Sequence, residues 1–550
     1  MSTANSDPRS SSNATPADPT PLRPALVEAL VLSLVVLAFG LAAAWQGQSS
    51  NWDLRNYHWY NAWAWLQDRH DLDLAAAQAQ TWFNPLLPAG IYLLLSSLKP
   101  WLGTFLLGVV QGLNLLPLHR IARQLLPQRG MLVLLAAVAG ATGATQRGEL
   151  GTSFGDNLVS LPLLCALALL VAPAASRLCC VAAGVLLGLT VGLKLTAAPV
   201  AAGITCAALW LFAQRGQLTR QGFTLVASAA AAFLIISGPW MWQLWRDYGN
   251  PLFPMFGALF GGEYAAPSEL RDTRWLPRDW LQWLFYPLFW TQHSQYVSEL
   301  KFLDLRVLLW FLAMLLLPLW WRRAQAQSTQ ALSLTFIVMA ALLIYLFWLI
   351  VFGYYRYLVV LEMLAPLLLT VALLAIPRRH GVITACCVLV VISLATRGPR
   401  WGRLASYAES YVSVQLPPSA QQRDALVLFA DHEPLAFLAP SFPAGTRFAR
   451  IRGNVMGPPM PEWALDRAAR ARIQAHRGPL LLLAVHLDDP QLSEALQRHA
   501  LILDRRHCAR IDANLFHRRE ARPQLCALNL AAPWLEPPAR RTEQTTTQPL

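Results

Sequence analysis

The stretch Ala25-Leu-Val-Glu-Ala-Leu-Val-Leu-Ser-Leu-Val-Val-Leu-Ala-Phe-Gly-Leu-Ala-Ala-Ala-Trp45-Gln46 decides the fold class. A helix needs about 20 apolar residues to cross the hydrocarbon core of a bilayer, and this run supplies them. It is too long for the apolar core of a signal peptide, and no small-x-small cleavage site follows it. It therefore reads as an uncleaved membrane helix. Residues 1–24 before it are rich in Ser, Thr, Pro, Ala and Asp and read as a disordered tail. Further runs follow at roughly 102–118, 130–147, 157–173, 178–193, 196–213, 222–243, 306–321, 331–351, 358–376 and 381–396, about eleven spans by a hydropathy window.

Composition agrees. Of 550 residues, 55% are hydrophobic and 14% charged, against about 25% charged in soluble domains. The 22 Trp fit interfacial belts. The net charge of +13 sits in short basic clusters between apolar runs, which are orientation signals rather than a nucleic-acid surface. With a cytoplasmic N-terminus, alternate loops carry Arg9 and Arg23; His119, Arg120, Arg123 and Arg129; Arg177; Arg215 and Arg220; Arg322 and Arg323; Arg378 and Arg379. An odd span count then puts the C-terminus outside, in a periplasm. The expected protein is a predominantly α, polytopic bundle over residues 25–397 in a bacterial inner membrane. Its outer loops span about 47–101 and 244–304 and bear surface helices, among them Trp280-Leu-Gln-Trp-Leu-Phe.

The tail from residue 398 alternates apolar runs (Ala425–Ala430, Leu480–Val485, Leu501–Leu503) with a helical pattern at Pro490–His499. That predicts a small periplasmic α/β domain over 398–532, followed by a disordered end over 533–550. Six cysteines (Cys165, Cys179, Cys180, Cys206, Cys386, Cys387) lie in apolar runs and read as core residues. Cys508 and Cys526 lie in the tail; an extracytoplasmic tail permits a disulfide between them, and their spacing decides neither way.

The first outer loop is the most informative: Asn51-Trp-Asp53-Leu-Arg55-Asn56-Tyr-His58-Trp-Tyr-Asn-Ala-Trp-Ala-Trp-Leu66. It suits an amphipathic helix on the membrane surface, with Tyr57, Tyr60, Ala64 and Leu66 facing lipid or core. Asp53 is either a helix cap or a site residue. A second acidic group, Glu149-Leu-Gly-Thr-Ser-Phe-Gly-Asp156, falls on the same side, and Asp156 has the same two readings. Carboxylates at several span ends on one side suit a metal or an acid/base pair. Lys194 ends the fifth span, Arg356-Tyr357 follows the ninth, and Glu362 lies inside the tenth. Ionisable groups at such depth are functional candidates by default, although snorkelling also suits Lys194 and Arg356. Cations there could hold a lipid phosphate.

This layout resembles the GT-C class of integral-membrane glycosyltransferases, which includes protein mannosyltransferases and aminoarabinose transferases. The resemblance spans about residues 25–400. It is carried by Asp53 after the first span, the segment to Leu66, Trp82-Phe-Asn84-Pro-Leu-Leu-Pro88, Glu149 and Asp156, Lys194, Arg356-Tyr357, and Gly249-Asn-Pro-Leu-Phe-Pro254. Many members have Asp-Glu where this chain has Asp53-Leu54, and Lys-Pro-Pro or His-Pro-Pro where it has Phe83-Asn84-Pro85. The resemblance implies a sugar donor on a polyprenyl phosphate or pyrophosphate. It implies Asp53 as base, Asp156 and Glu149 as its partners or as holders of a divalent cation, and Lys194, Arg356 and Tyr357 at the donor phosphate. Arg55, Asn56, His58, Asn84 and Glu362 are the further candidates for substrate contacts, and Asp53 with Asp156 for a metal.

Two alternatives stand beside it. One is a transporter or flippase of lipid-linked sugar, kept open by Glu362; the other is a non-catalytic scaffold. Gly151-Thr-Ser153-Phe-Gly155 matches a hydrolase string but lies between two spans rather than in a strand-turn-helix. Asp431-His432-Glu433 reads as a polar turn after a strand, with Pro434 opening a helix. Asn13-Ala-Thr15 fits a glycosylation acceptor on the wrong side. There is no nucleotide-binding loop.

Overall fold

A computed structural model describes residues 22–127, 129–172, 176–268, 270–315, 329–375 and 378–531. The tails expected over 1–24 (save 22–24) and 533–550, Arg9, Asn13–Thr15, Arg322 and Arg323, and the last third of the run 306–321 lie outside the described residues.

Every expected span corresponds to a helix. They are α1 Leu22–Trp45; α2 Trp59–Leu66 and α3 Leu86–Ser97 of the first outer loop; then α4 Pro100–Gly112, which runs into α5 Leu115–Leu125. Next come α6 Gly130–Gly140, the short α7 Ala144–Glu149, α8 Asp156–Leu170, α9 Arg177–Leu193, α10 Ala198–Gln214 and α11 Phe223–Tyr248. After α12 Trp280–Gln292 follow α13 Arg306–Leu315, α14 Thr329–Val351, α15 Val359–Leu373 and α16 Arg378–Ala395. Six helices are long and apolar enough to cross a membrane, and α6, α8, α9, α13 and α16 are shorter apolar helices among the described residues. The chain is a multi-pass helical membrane protein.

The outward face of the bundle is apolar. Leu26, Val27, Leu30, Leu34 and Leu41 of α1 are all more than half exposed, which suits lipid and would be a liability in water. Cys206 and Cys387 lie on this outward surface and only Cys180 of the six is buried, so the core reading of the cysteines holds for one of them. Exposed Trp45, Trp101, Trp242, Trp245, Trp280 and Trp283 lie near helix ends, where indole rings of an interfacial belt would sit. Close packing comes from small residues: a Cβ at Gly184 or Gly188 of α9 would collide with the backbone carbonyls of Leu225 and Ala229 on α11. Small residues at four-residue spacing let two helices approach in lipid, where no hydrophobic force drives them together.

Beyond α16 the chain forms a small α/β unit. Short strand β1 Gln48–Ser49, next to the first span, pairs with β2 Arg403–Leu404, and β3 Val414–Gln415 pairs with β8 Asp512–Ala513. The main sheet has the order β5 Arg447–Arg450, β4 Leu426–Phe429, β6 Leu480–Ala484, β9 Gln524–Leu530, β7 Leu501–Arg510. The first three strands are parallel, β9 is antiparallel to them, and β7, antiparallel to β9, runs with the first three. Helices α17 Ala464–Ala475 and α18 Pro490–Arg498 supply crossovers. A disulfide joins Cys508 and Cys526 across β7 and β9. The helix expected at Pro434 opens two residues later, at Ala436–Ser441, as a tight 3-10 turn.

The first outer loop is where sequence expectation fails. Its helix does not lie on lipid: every residue from Leu54 to Ala62 is buried, packed with α3 and with the Ala436–Ser441 turn. Of the two surroundings open to its aromatic residues, lipid or core, these take the core: Trp59 packs on Tyr92 and Tyr411, and Trp63 edge-on to Phe448. The loop also extends the sheet. Leu74 forms a parallel bridge to Ala449, and the buried Arg450 side chain donates to the carbonyls of Ala75, Ala76 and Asp431.

Candidate functional site

Helix ends and loops from four distant segments bring five ionisable groups together beside the first outer loop. The chain enters that loop through a π-helical turn at Leu54–His58, a geometry often found at functional sites. Asp53 does not cap it; the Asn51 side chain accepts from Leu54 N at 2.8 Å instead. The Asp53 carboxylate lies 3.1 Å from the Arg356 guanidinium and accepts from the Tyr57 hydroxyl at 3.3 Å. Asp156 likewise leaves the capping of α8 to Glu149, which accepts from Asn157 N at 3.0 Å. Asp156 meets Lys194 Nζ at 2.6 Å and Arg356 Nε at 3.1 Å. Glu149 lies 3.9 Å from Arg356.

Arg356 is the hub. It ends the connection between α14 and α15 and is walled by rings, with Phe154 at 4.3 Å, Tyr354 at 5.5 Å, Tyr357 at 5.6 Å and Trp401 at 5.7 Å. Planar guanidinium on aromatic faces loses little mobility when it binds. Lys194 rests 5.8 Å from the Tyr357 ring. The side chains of Asp53 and Lys194 are each 14% exposed, whereas Glu149 is fully buried. Burial, followed by the Asp156 charge, pushes the Glu149 carboxyl well above the usual range. Glu149 and Asp156 therefore bind protons as an interacting pair. The upward shift favours the neutral form of Glu149, and in that form two carboxylates face two cations, a neutral set that tolerates a low-dielectric site. Asp156 and Tyr357 also line a narrow apolar crevice between α8, α10 and α15, walled by Val159, Leu163, Val200 and Val360.

The other residues expected to touch substrate have partners of their own, and of them His58 lies within reach of the charges of Asp53, Lys194, Arg356 and Asp156. The Arg55 side chain turns away, to Glu520 at 2.5 Å and to the rings of Phe437 and Phe516, so it ties the loop to the α/β unit. Asn56 pairs with Ala77, Gln78 and Gln80. Asn84 bridges to Gly192 O, two residues before Lys194, and accepts from Leu86 N at the start of α3. His58 is hydrogen-bonded to Ser153 at 2.9 Å. Burial pulls its imidazole down to about 3, so it is neutral. With Ser153 itself fully buried, the hydrolase-like string has no access to a substrate.

Glu362 belongs to a second cluster. It accepts from Thr145 N, and Asp304 accepts from Ala144 N, so two carboxylates cap the helix whose last residue is Glu149. Arg306 pairs with Asp304 at 2.7 Å and donates to Ala139 O, Thr142 O and the Thr396 hydroxyl. Sequence reasoning missed Arg403 entirely. It donates to Gly148 O and Leu150 O on either side of Glu149. An arginine in a short strand carries no local sign of such a role.

The donor set does not fit a divalent cation. The carboxylates expected to hold one are each engaged by a guanidinium or ammonium group. Among the described residues no group of three or more His, Cys, Asp or Glu side chains is arranged to ligate a metal.

Fold and site together define a multi-span helical membrane protein with a carboxylate–cation cluster at one end of its bundle. No protein-family model matches the chain, and no curated protein sequence matches it. Among solved structures, a crystal structure of ArnT from Cupriavidus metallidurans bound to undecaprenyl phosphate is similar, with 16% sequence identity and a TM-score of 0.42. The match covers 67% of this chain, which spans 64% of that protein's length.

Proposed function

We propose that the protein is a GT-C-type glycosyltransferase that moves a sugar from a polyprenyl-phosphate donor to an acceptor hydroxyl at the outer membrane face. One observation carries this: Asp53, Asp156, Lys194 and Arg356, from four distant segments, meet within ion-pair distance. They meet beside a water-sized void of about 10 Å³ walled by apolar side chains of α8, α10 and α15. A lipid-linked sugar needs cations for its phosphate and a carboxylate for the acceptor proton, with apolar helices alongside for its tail.

In this reading the donor phosphate replaces carboxylate oxygens on Lys194 and Arg356, which releases Asp53. The bond from the sugar carbon to the phosphate oxygen breaks as the acceptor oxygen attacks that carbon. The acceptor proton passes to Asp53. The phosphate leaves with the bonding pair, and its charge is met by Lys194 and Arg356. General-base help of this kind contributes about 10²–10⁴ in rate. The protonated Glu149 holds Asp156 toward the two cations. The disulfide in the α/β unit supports an oxidising compartment for the tail, and so an outward site in an inner membrane. The transporter reading loses its residue, because Glu362 is taken up by Thr145 and faces no opening.

The test is reconstitution with a polyprenyl-phosphate sugar. Release or transfer of sugar is the expected result. Movement of intact donor across the bilayer without cleavage would establish the flippase instead.

A further inference from the structure

The strand order of the α/β unit places a candidate ligand crevice, polar in its residues, that the transfer chemistry does not use. From β4 the chain passes to β5 on one side, then crosses back to β6 on the other. The strand order reverses between β4 and β6, and open α/β sheets bind ligands outside the carboxyl ends of the strands at such a point. Asp431 marks it by accepting from Val485 N at 2.6 Å, which ties the two strand ends together.

Around Asp431 stand His432 and Glu433 after β4, Arg452 and Asn454 after β5, and His486 and Asp489 after β6. Glu433 faces His486 at 3.7 Å, and Arg452 is held by Asp489 at 2.8 Å and Gln491 at 2.7 Å. Arg452 is only 4% exposed, yet its Nε–H has no acceptor. A buried donor left unmet is costly and points to an acceptor supplied by a bound molecule. The exposed His432 ring makes no hydrogen bond among the described residues, although Arg452, Arg450, Asp431 and Asp489 all act on its charge.

The lining decides the ligand class. A phosphate would meet the carboxylates of Glu433 and Asp489, and a metal ion would meet Arg450 and Arg452. Vicinal hydroxyls, each a donor and an acceptor, suit a wall that alternates carboxylate, guanidinium, imidazole and amide. A hydrogen-bond relay also links this end of the sheet to the first outer loop. Asn454 Nδ2 and Asn56 Nδ2 both donate to Gln80 Oε1, at 3.3 and 3.2 Å, and Asn56 lies three residues after Asp53 in the same helical segment.

We propose that the crevice between His432 and Asp489 is a saccharide-binding subsite that holds a neutral sugar of the acceptor. The acceptor role rests on the transferase reading; the binding itself does not. The test uses the full chain in nanodiscs free of glycoside detergent, with a soluble glucose tetramer and an N-acetylglucosamine tetramer as probes, read by saturation-transfer NMR. At least one tetramer binds the wild type, and His432→Ala and Glu433→Gln each weaken it by at least about fivefold, the loss of one hydrogen bond. Both substitutions fall on solvent-facing side chains, so the fold survives them, and Asp53→Asn binds as the wild type does. No binding of either tetramer, or equal binding by wild type and both crevice variants, overturns the subsite. Saccharide binding by a wild-type chain that neither releases nor transfers sugar from a polyprenyl-phosphate donor would leave the subsite standing and remove the transfer reading alone.

Discussion

Two charge clusters share helix α7, and their atoms are used differently. At its first turn, Asp304, Arg306 and Glu362 are all fully enclosed, and Arg306 reaches five acceptor atoms. At its far end, Asp53 and Lys194 are partly open while Asp156 and Arg356 are buried, and Arg356 Nε, Asp156 Oδ2 and Glu149 Oε1 sit near opposite charges without hydrogen-bond geometry. A saturated cluster fixes backbone and offers nothing to a ligand. An unsaturated one retains capacity that a substrate can take up. The contrast assigns scaffolding to the first cluster and chemistry to the second.

The sharpest way to break that assignment is Asp53→Asn. Transfer should fall by about 10²–10⁴ while thermal stability in detergent stays as in the wild type; near-normal turnover would remove Asp53 from the chemistry. Arg306→Ala should do the reverse. It strands the buried Asp304 carboxylate, and breaking a buried pair costs about 3–5 kcal/mol. The readout is the folded fraction on size exclusion and the melting temperature, and an unchanged melting temperature would merge the two clusters into one kind.

A finer test is Arg356→Lys, which keeps the charge but loses the planar fork and the stacking on Phe154. Losing a charged hydrogen bond of about 1.5–3 kcal/mol predicts transfer down by about 10- to 100-fold, measured with saturating donor.

The smallest effect concerns pH. His58 titrates at 6.5 when unfolded and near 3 when folded, so below pH 6.5 the unfolded chain takes up the proton first. Its contribution is neutral above pH 6.5, and stability is lost as pH falls from there toward 3. His58→Gln should flatten that part of the melting profile; an unaltered profile would mean the ring is protonated where it stands.

The spans were legible because an apolar window of the right length has few other uses. The convergence of Asp53, Asp156, Lys194 and Arg356 was also legible, because alternate span ends share a side. What the sequence hid was tertiary. Tyr57, Trp59 and Trp63 have the pattern of a helix that faces lipid or core, and only the α/β unit folded over them decides for the interior. Glu362 and Asp156 look alike as acids at span depth, and which neighbour each meets depends on helix packing that no local pattern encodes. The rings of Phe154 and Trp401 around Arg356 come from residues 247 positions apart and leave no signature.

The bridge from Leu74 to the edge strand also limits how the protein can be divided. A fragment cut after the last span would expose the hydrogen-bonding edge at Phe448 and Arg450, an invitation to intermolecular pairing. It would also strip the buried guanidinium of Arg450 of two carbonyl acceptors. Soluble expression of the tail alone should therefore yield aggregates, and a fusion that returns residues 70–80 to that edge should rescue a monomer.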